Sequence, residues 1–320
     1  MKRVGNLYSQ ICSLENLRLA ERKARKGKAG QYGIRLFDRD PEGKLQQLQH
    51  ILLHRSYRTS PYTTFSVYEP KERIVYRLPY FPDRIAHHAI MNVLESYFMD
   101  TFTADTYSCI KGRGIHAAAL GLRRSLQDME NTRYCLKLDI KKFYPSIDHQ
   151  VLKDLLRRKF KDPELLWLLD EIIDSADGVP IGNYLSQYFA NFYLSYFDHW
   201  VKEQLRLTFY FRYADDMVIL GRTKTELHQA LSKIREYLSS QLKLAIKDNY
   251  QIFPVAARGI DFVGYRSFHT HALLRKSIKK SFARMLSWNR NRASIASYHG
   301  WLIHCNSVNL RRKLGYEEIQ

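Results

Sequence analysis

The stretch FYFRYADDMVIL, Phe209 to Leu220, sets two adjacent aspartates among apolar and aromatic residues. Phe209, Phe211 and Tyr213 alternate as a strand does, and Met217 to Leu220 make a second apolar run. The pattern predicts a largely buried hairpin with Asp215 and Asp216 at or near its turn. Aspartate is a common turn residue, so an ordinary Asp-Asp turn is the plain alternative. Two neighbouring carboxylates repel, however, and burying them is costly unless positive charge stands beside them.

A second isolated carboxylate makes the same demand. In RYCLKLDIKKFY, Tyr134, Leu136, Leu138 and Ile140 alternate with Arg133, Lys137 and Asp139, which reads as a strand. Asp139 and Asp215 are far apart in the chain, so only a fold can bring them together. Three carboxylates converging from buried strands call for cations. An oxygen-only donor set suits Mg²⁺, which keeps waters and substrate phosphates in its shell. Two such ions would activate a primer 3′ hydroxyl and stabilise a leaving pyrophosphate during an in-line displacement.

Composition agrees with a polyanionic partner. The 320 residues carry 51 Lys plus Arg against 32 Asp plus Glu, a net charge of +19. Nucleic acid is the first candidate for such a balance. The 22 Tyr and 16 Phe would supply rings for stacking on bases. At 45% apolar residues the chain can build a real core. Its four cysteines are scattered and form no CxxC, which predicts reduced thiols in a cytoplasmic protein. The N-terminus lacks an apolar signal segment, and the run YLSQYFANFYLSYF is too short and polar to span a bilayer, so no membrane partner is expected.

Along the chain, the first 30 residues predict a basic helix. A second helix starts at Pro41 with Leu45, Leu48 and Leu52 on one face. Residues 61–80 predict a strand pair, and a helix follows from Pro82. Asp162-Pro163 predicts a helix start with Asp162 as N-cap. GVPIG is a turn feeding a long aromatic helix that ends near Leu205. A helix over roughly 224–240 and a hairpin at IDFVGYRSF come next. Beyond Leu274, Lys276, Lys279, Lys280 and Arg284 share one helical face, with Ile278, Phe282, Met285 and Leu286 opposite. That predicts a cationic stripe on a packed helix. His87, His88, His299, His304 and Cys305 have no partner carboxylates at ligand spacing and read as structural.

In order and at suitable spacing, LKLDIKKFYPSID, GVPIGNYLSQYFANFYL, YADD and FVGY resemble the reverse transcriptases over about Tyr57 to Tyr265. The resemblance implies an α+β right-hand polymerase fold with fingers, an antiparallel palm sheet and a small helical thumb. The expected division is an N-terminal extension and fingers with part of the palm over 1–135, palm over 136–267 with a helical insertion near 150–177, and thumb over 268–320. The resemblance also implies metal binding by Asp139, Asp215 and Asp216, with the carbonyl of Ile140 as a further ligand. It implies Mg²⁺ in a two-metal site, with Mn²⁺ able to substitute. Tyr144, five positions after Asp139, matches the ring that excludes a ribose 2′ hydroxyl. Lys71 and Arg73 match residues gripping the incoming dNTP triphosphate, and guanidinium suits that role as a bidentate donor. Gly264 and Tyr265 match the primer grip. Near the place of a lysine that protonates pyrophosphate stand Asn249 and Tyr250, with Lys247 close by.

Within the family, Ile181, Gly182, Ser186 and Gln187 form an apolar-Gly-x-x-x-Ser-Gln loop at the dNTP. That loop, with VYEPK and HALLRKSIKK, resembles the enzymes of diversity-generating retroelements. The chain ends about 55 residues after Tyr265, which predicts a thumb and no maturase or endonuclease domain. The subgroup implies copying a template-repeat RNA into cDNA with errors opposite adenine. Expected partners are template RNA, primer and cDNA, dNTPs, and the accessory variability determinant protein. The alternatives are a retron or group II intron type enzyme of ordinary fidelity, and a non-polymerising nucleic-acid-binding relative.

Overall fold

The N-terminal helices follow from leucine spacing and caps. The structure, a computed structural model, describes residues 3–68, 72–288 and 291–316. Helices α1 (Tyr8–Cys12), α2 (Leu14–Arg25), α3 (Tyr32–Phe37) and α4 (Pro41–Leu53) lead into a hairpin, β1 (Thr63–Tyr68) and β2 (Glu72–Arg77). Then come α5 (Ile85–Met99), α6 (Ile115–Ser125), β3 (Tyr134–Asp139), α7 (His149–Lys159), α8 (Pro163–Ile173) and α9 (Tyr184–Glu203). The hairpin β4 (Tyr210–Tyr213) and β5 (Asp216–Gly221) precedes α10 (Lys224–Leu242), β6 (Gln251–Pro254) and α11 (Val255–Arg258). The chain closes with β7 (Ile260–Phe262), β8 (Tyr265–Ser267), β9 (Ala272–Leu274), α12 (Lys276–Trp288), α13 (Arg292–Leu302) and α14 (Val308–Lys313).

Two compact units divide these elements. The first comprises Met1–Phe102, Lys142–Tyr196 and Gln241–Leu244. There Ser13 caps α2 by accepting from Asn16 N, and Asp40 caps α4 by accepting from Gly43 N with Pro41 at the first helical position. Leu45, Leu48 and Leu52 are buried, as their spacing predicts. Asp162 departs from its reading. It precedes α8 but makes no side-chain cap there. Its Oδ2 accepts instead from the backbone of Leu7 (2.8 Å) and Tyr8 (3.0 Å), donors at the start of α1. A buried carboxylate takes the nearest unpaired N–H groups, and those came from across the sequence.

The second unit comprises Thr103–Lys141, Phe197–Ser240 and Ala245–Gln320. Its centre is an antiparallel sheet in the order β4-β5-β3-β6. Register sorts the side chains by face, because directly opposed residues share a side. Asp139 opposes Asp216, Lys137 opposes Val218, and Cys135 opposes Leu220 and Phe253. One face therefore runs from charge at one end to apolar packing at the other. The apolar end joins α6 in a cluster with Ala118, Leu122, Val218, Phe253, Phe262 and Phe282. The other face holds Leu136, Leu138, Met217 and Ile219, all buried. There Phe197 meets Tyr210 and Tyr237 through ring contacts at 6.5 and 5.5 Å.

A second sheet, β7-β8-β9, carries α12. Phe282 is fully buried, Ile278, Met285 and Leu286 pack on the same cluster, and Lys276, Lys279, Lys280 and Arg284 stay exposed. The predicted stripe is thus present. Among the described residues no helix is long and apolar enough to cross a membrane.

Candidate active site

The YADD hairpin turns where its sequence predicts. Tyr213 opposes Asp216 across the turn, leaving Ala214 and Asp215 as the two loop residues. Ala214 sits in the left-handed region (φ 55°), which an alanine adopts only when its surroundings hold it. The holding group is Arg212, whose Nη1 donates to Ala214 O at 3.0 Å. Arg212 itself is fully buried against Asp198 of α9, which is equally buried. Asp198 also accepts from Tyr210 (2.6 Å) and Thr106 (2.9 Å). A buried ion pair with its lone pairs filled thereby clamps the turn that presents Asp215.

β3 brings Asp139 alongside. Past the strand, Lys141 N donates to Ala245 O and Lys247 N donates to Asp139 O. These bonds flank Ile140, which bridges to Ile246 without using its own carbonyl in either bond. The same crossing sets the Lys247 ammonium against Asp139 Oδ1. Lys137, two residues before Asp139 and so on the same face, lies 3.5 Å from Asp216 Oδ2. It also donates to the carbonyl of Asp261.

The electrostatics follow from burial. Desolvation, and next the Asp139 charge, pushes Asp215 up to about 6. Desolvation likewise pushes Asp216 up to about 6, against the pull of Lys137. Asp216 Oδ1 is buried and has no hydrogen-bond partner. An oxygen-only set with an orphaned buried carboxylate oxygen and a suppressed tendency to ionise fits a hard divalent cation. Lys247 and Lys137 each engage one of the three carboxylates, and among the described residues no three His, Cys, Asp or Glu stand together at metal-holding spacing.

The primer-grip expectation changes character. Val263 and Gly264 turn between β7 and β8 with φ of 42° and 90°. A Cβ on Gly264 would meet the Trp301 ring at 2.3 Å, so the residue is glycine for both conformation and space. Tyr265 is 1% exposed, and its hydroxyl is bonded to His116 (2.9 Å) and Trp301 O (3.1 Å). Both residues are core pieces, because Trp301 covers the turn. The Tyr265 side chain does not reach outward.

The remaining site residues belong to the first unit. Tyr144 opens a short turn over Tyr144–Ser146, its ring edge-on to Phe143 at 5.5 Å. Tyr144 O accepts from Val179 N at 2.9 Å, and Ile181 O accepts from Tyr76 N at 2.7 Å. Gly182 (φ 117°) passes so near β2 that a Cβ would lie 2.2 Å from Tyr76 O. The loop is therefore stitched to β2, the strand that also carries exposed Arg73. Ser186 is buried in the first turn of α9 and Gln187 is exposed. Lys71 lies outside the described residues.

Sequence reading missed the clamp and the role of Lys137, and it placed Lys247 near an expected pyrophosphate lysine without its Asp139 partner. Lys137 could have been found from the two-residue strand period. Asp198, a lone acid in an aromatic helix, carried a weaker signal.

Residues 69–266 match the family described as reverse transcriptase (RNA-dependent DNA polymerase). The chain is 25% identical over 292 residues to Protein YkfC of Escherichia coli, covering 76% of this chain and 74% of that protein. It is 28% identical over 200 residues to the Retron Ec73 reverse transcriptase of E. coli, covering 57% and 61% respectively. To the group II intron-encoded protein LtrA of Lactococcus lactis it is 27% identical over 143 residues, 41% of this chain and 23% of that one. The chain thus spans less than two thirds of the retron and intron proteins. Apo telomerase from Candida tropicalis superposes with a TM-score of 0.51 at 12% identity, covering 74% of this chain and 53% of its own. At that identity the likeness is one of fold, the right-hand polymerase.

Proposed function

Because the chain belongs to the reverse transcriptase family, we propose that it copies a template RNA into cDNA with reduced fidelity opposite adenine, serving a diversity-generating retroelement. Ile181 carries this reading. Its carbonyl is tied to β2, so the loop position is defined, yet its side chain offers no hydrogen-bond donor. In family members with Gln there, a donor can test the geometry of the nascent base pair. A mispair that leaves a buried donor unsatisfied costs about 1–3 kcal/mol. At about 1.4 kcal/mol per decade, that is roughly 5- to 150-fold in discrimination. Isoleucine cannot impose the penalty.

Reverse transcriptases use divalent metals. When bound here by Asp139, Asp215, Asp216 and the Ile140 carbonyl, Mg²⁺, or Mn²⁺ in its place, would activate the primer 3′ hydroxyl and neutralise charge on the leaving pyrophosphate. The chain's own residues do the positioning. Arg212 and Asp198 hold the turn, Lys137 neutralises Asp216, and Lys247 neutralises Asp139. Tyr144 serves as the gate against ribonucleotides, Arg73 and Lys71 grip the triphosphate, and the α12 stripe meets the template–primer backbone. In this reading, fingers, palm and thumb follow the boundaries expected from the sequence, the accessory variability determinant is a partner, and the protein is cytoplasmic.

A second reading, a reverse transcriptase of ordinary fidelity, is favoured by the retron and intron relatives. Deep sequencing of cDNA from the parent and from Ile181→Gln on one RNA template separates them. The proposal expects frequent errors at template adenines in the parent and fewer in the variant. Uniformly low errors in the parent support the second reading, and equal adenine error rates in both proteins remove Ile181 from the explanation.

A further inference from the structure

A cavity of about 310 Å³ lies within the first unit, between α2, α5 and the loop entering α9. Lys23, Lys28 and Arg84 line it, and no carboxylate is among its lining residues. Lys23 is held by Asn92 Oδ1 at 2.6 Å, while Lys28 and Arg84 have no ion-pair partner among the described residues. Cations brought together without counter-charge repel, and the fold gains nothing from them. Burial and then Arg84 lower the proton affinity of Lys28.

Two histidines complete the wall. His87 is 2% exposed, and its Nε2 has no hydrogen-bond partner. His88 Nδ1 is likewise buried and unpartnered. A buried polar nitrogen without a partner costs stability, so its persistence asks for a ligand that bonds to it. The His88 ring is stacked on Tyr184, centroids 4.3 Å apart at 21°. Burial, and then the charges of Lys28, Arg84 and Lys23, push His88 down to about 4. It is therefore neutral at physiological pH and able to offer a ring N–H. Gln187 and Gly182, which the sequence resemblance assigned to the dNTP, also line this cavity.

We propose that this cavity holds a backbone phosphate of a single-stranded nucleic acid, with Lys23, Lys28 and Arg84 as its cationic contacts and the His88–Tyr184 stack as a platform for the adjoining base. An acceptor-rich anion satisfies every feature at once: uncompensated cations, orphaned ring nitrogens and the absence of carboxylates. The flat stack favours a strand over a bare anion, because every base has a face to lay on it. The test of this contact needs no catalysis.

The test is fluorescence anisotropy of the full chain with a labelled single-stranded oligoribonucleotide in EDTA, over a series of salt concentrations. Lys23→Gln/Lys28→Gln is compared with the parent and with Lys23→Arg/Lys28→Arg, thermal melts confirming that all three are folded. For single strands each lost phosphate contact removes about 0.7 from the log–log salt slope, equivalent to about fourfold in affinity at 0.15 M salt. The Gln pair is expected to lose about four- to fifteenfold with a shallower slope, and the Arg pair to restore both. An unchanged affinity and slope in the folded Gln pair overturns the proposal. So does a Gln pair that loses dATP binding while keeping oligoribonucleotide binding, since the cavity would then take a free triphosphate.

Discussion

Replacing Arg212 by Met tests the clamp behind the YADD turn. The guanidinium and the Asp198 carboxylate are both fully buried. Among the described residues, Arg212→Met leaves Asp198 with the Tyr210 and Thr106 hydroxyls as donors. Breaking a buried pair by removing one partner costs about 3–5 kcal/mol. For a unit of this size, about 2–4 °C of melting temperature is lost per kcal/mol, so a drop of roughly 6–20 °C is expected. The double variant Arg212→Met/Asp198→Leu carries no stranded charge and should melt above Arg212→Met alone, because apolar replacement of a whole buried pair is often near neutral. Arg212→Lys keeps charge but loses the fork that reaches Ala214 O, so it should slow primer extension more than it lowers the melting temperature. Thermal melts by circular dichroism, paired with primer extension, supply the readouts. An Arg212→Met protein that melts within about 2 °C of the parent refutes the clamp. So does a double variant that melts below the single one.

Asp216→Asn should stabilise the metal-free protein at pH 7.5. Raising a carboxyl from 3.8 to about 6 corresponds to at most about 3 kcal/mol against folding. The unfolded chain releases this proton first, so the parent loses that stability as pH rises from about 4 to about 6. Urea titrations in EDTA should show the variant's advantage at pH 7.5 and its disappearance near pH 4; an advantage equal at both pH values points to another cause. Tyr144→Ala should raise ribonucleotide incorporation relative to deoxynucleotide, and an unchanged ratio with activity retained moves the gate to Phe143. Neutralising Lys276, Lys279, Lys280 and Arg284 together should weaken template–primer binding and flatten its salt dependence by about 0.7–0.9 per lost contact. An identical slope means that face points away from nucleic acid.

Much of the fold was legible because local signals and packing agree. The alternation around Asp215 and Asp216 specified the hairpin, since a one-residue slip would have turned Phe211 and Val218 out of the core. Leu45, Leu48 and Leu52 behind Asp40-Pro41 marked α4, and the α12 stripe followed from helical period. What stayed hidden depends on partners distant in the chain. Asp162 looked like the cap of the helix beside it, but its acceptors serve donors some 155 residues earlier. Asp198 stands among aromatic residues of α9, and only the fold shows Arg212 opposite it. Tyr265 read as a contact residue until Trp301 and His116 closed over it. The candidate carboxylates stood out by residue type, whereas their pairing with Lys137 and Lys247 required the sheet register and the crossing at Ile246.

The central claim is that Asp139, Asp215 and Asp216 form the catalytic centre of an RNA-directed DNA polymerase. The direct measurement is extension of a DNA primer on an RNA template by the parent and by Asp215→Ala, with Mg²⁺ and with EDTA. Circular dichroism melts accompany it to confirm the fold. The account predicts Mg²⁺-dependent synthesis by the parent and none by an Asp215→Ala protein that melts at or above the parent's temperature. A folded Asp215→Ala protein that extends the primer at the parental rate contradicts it.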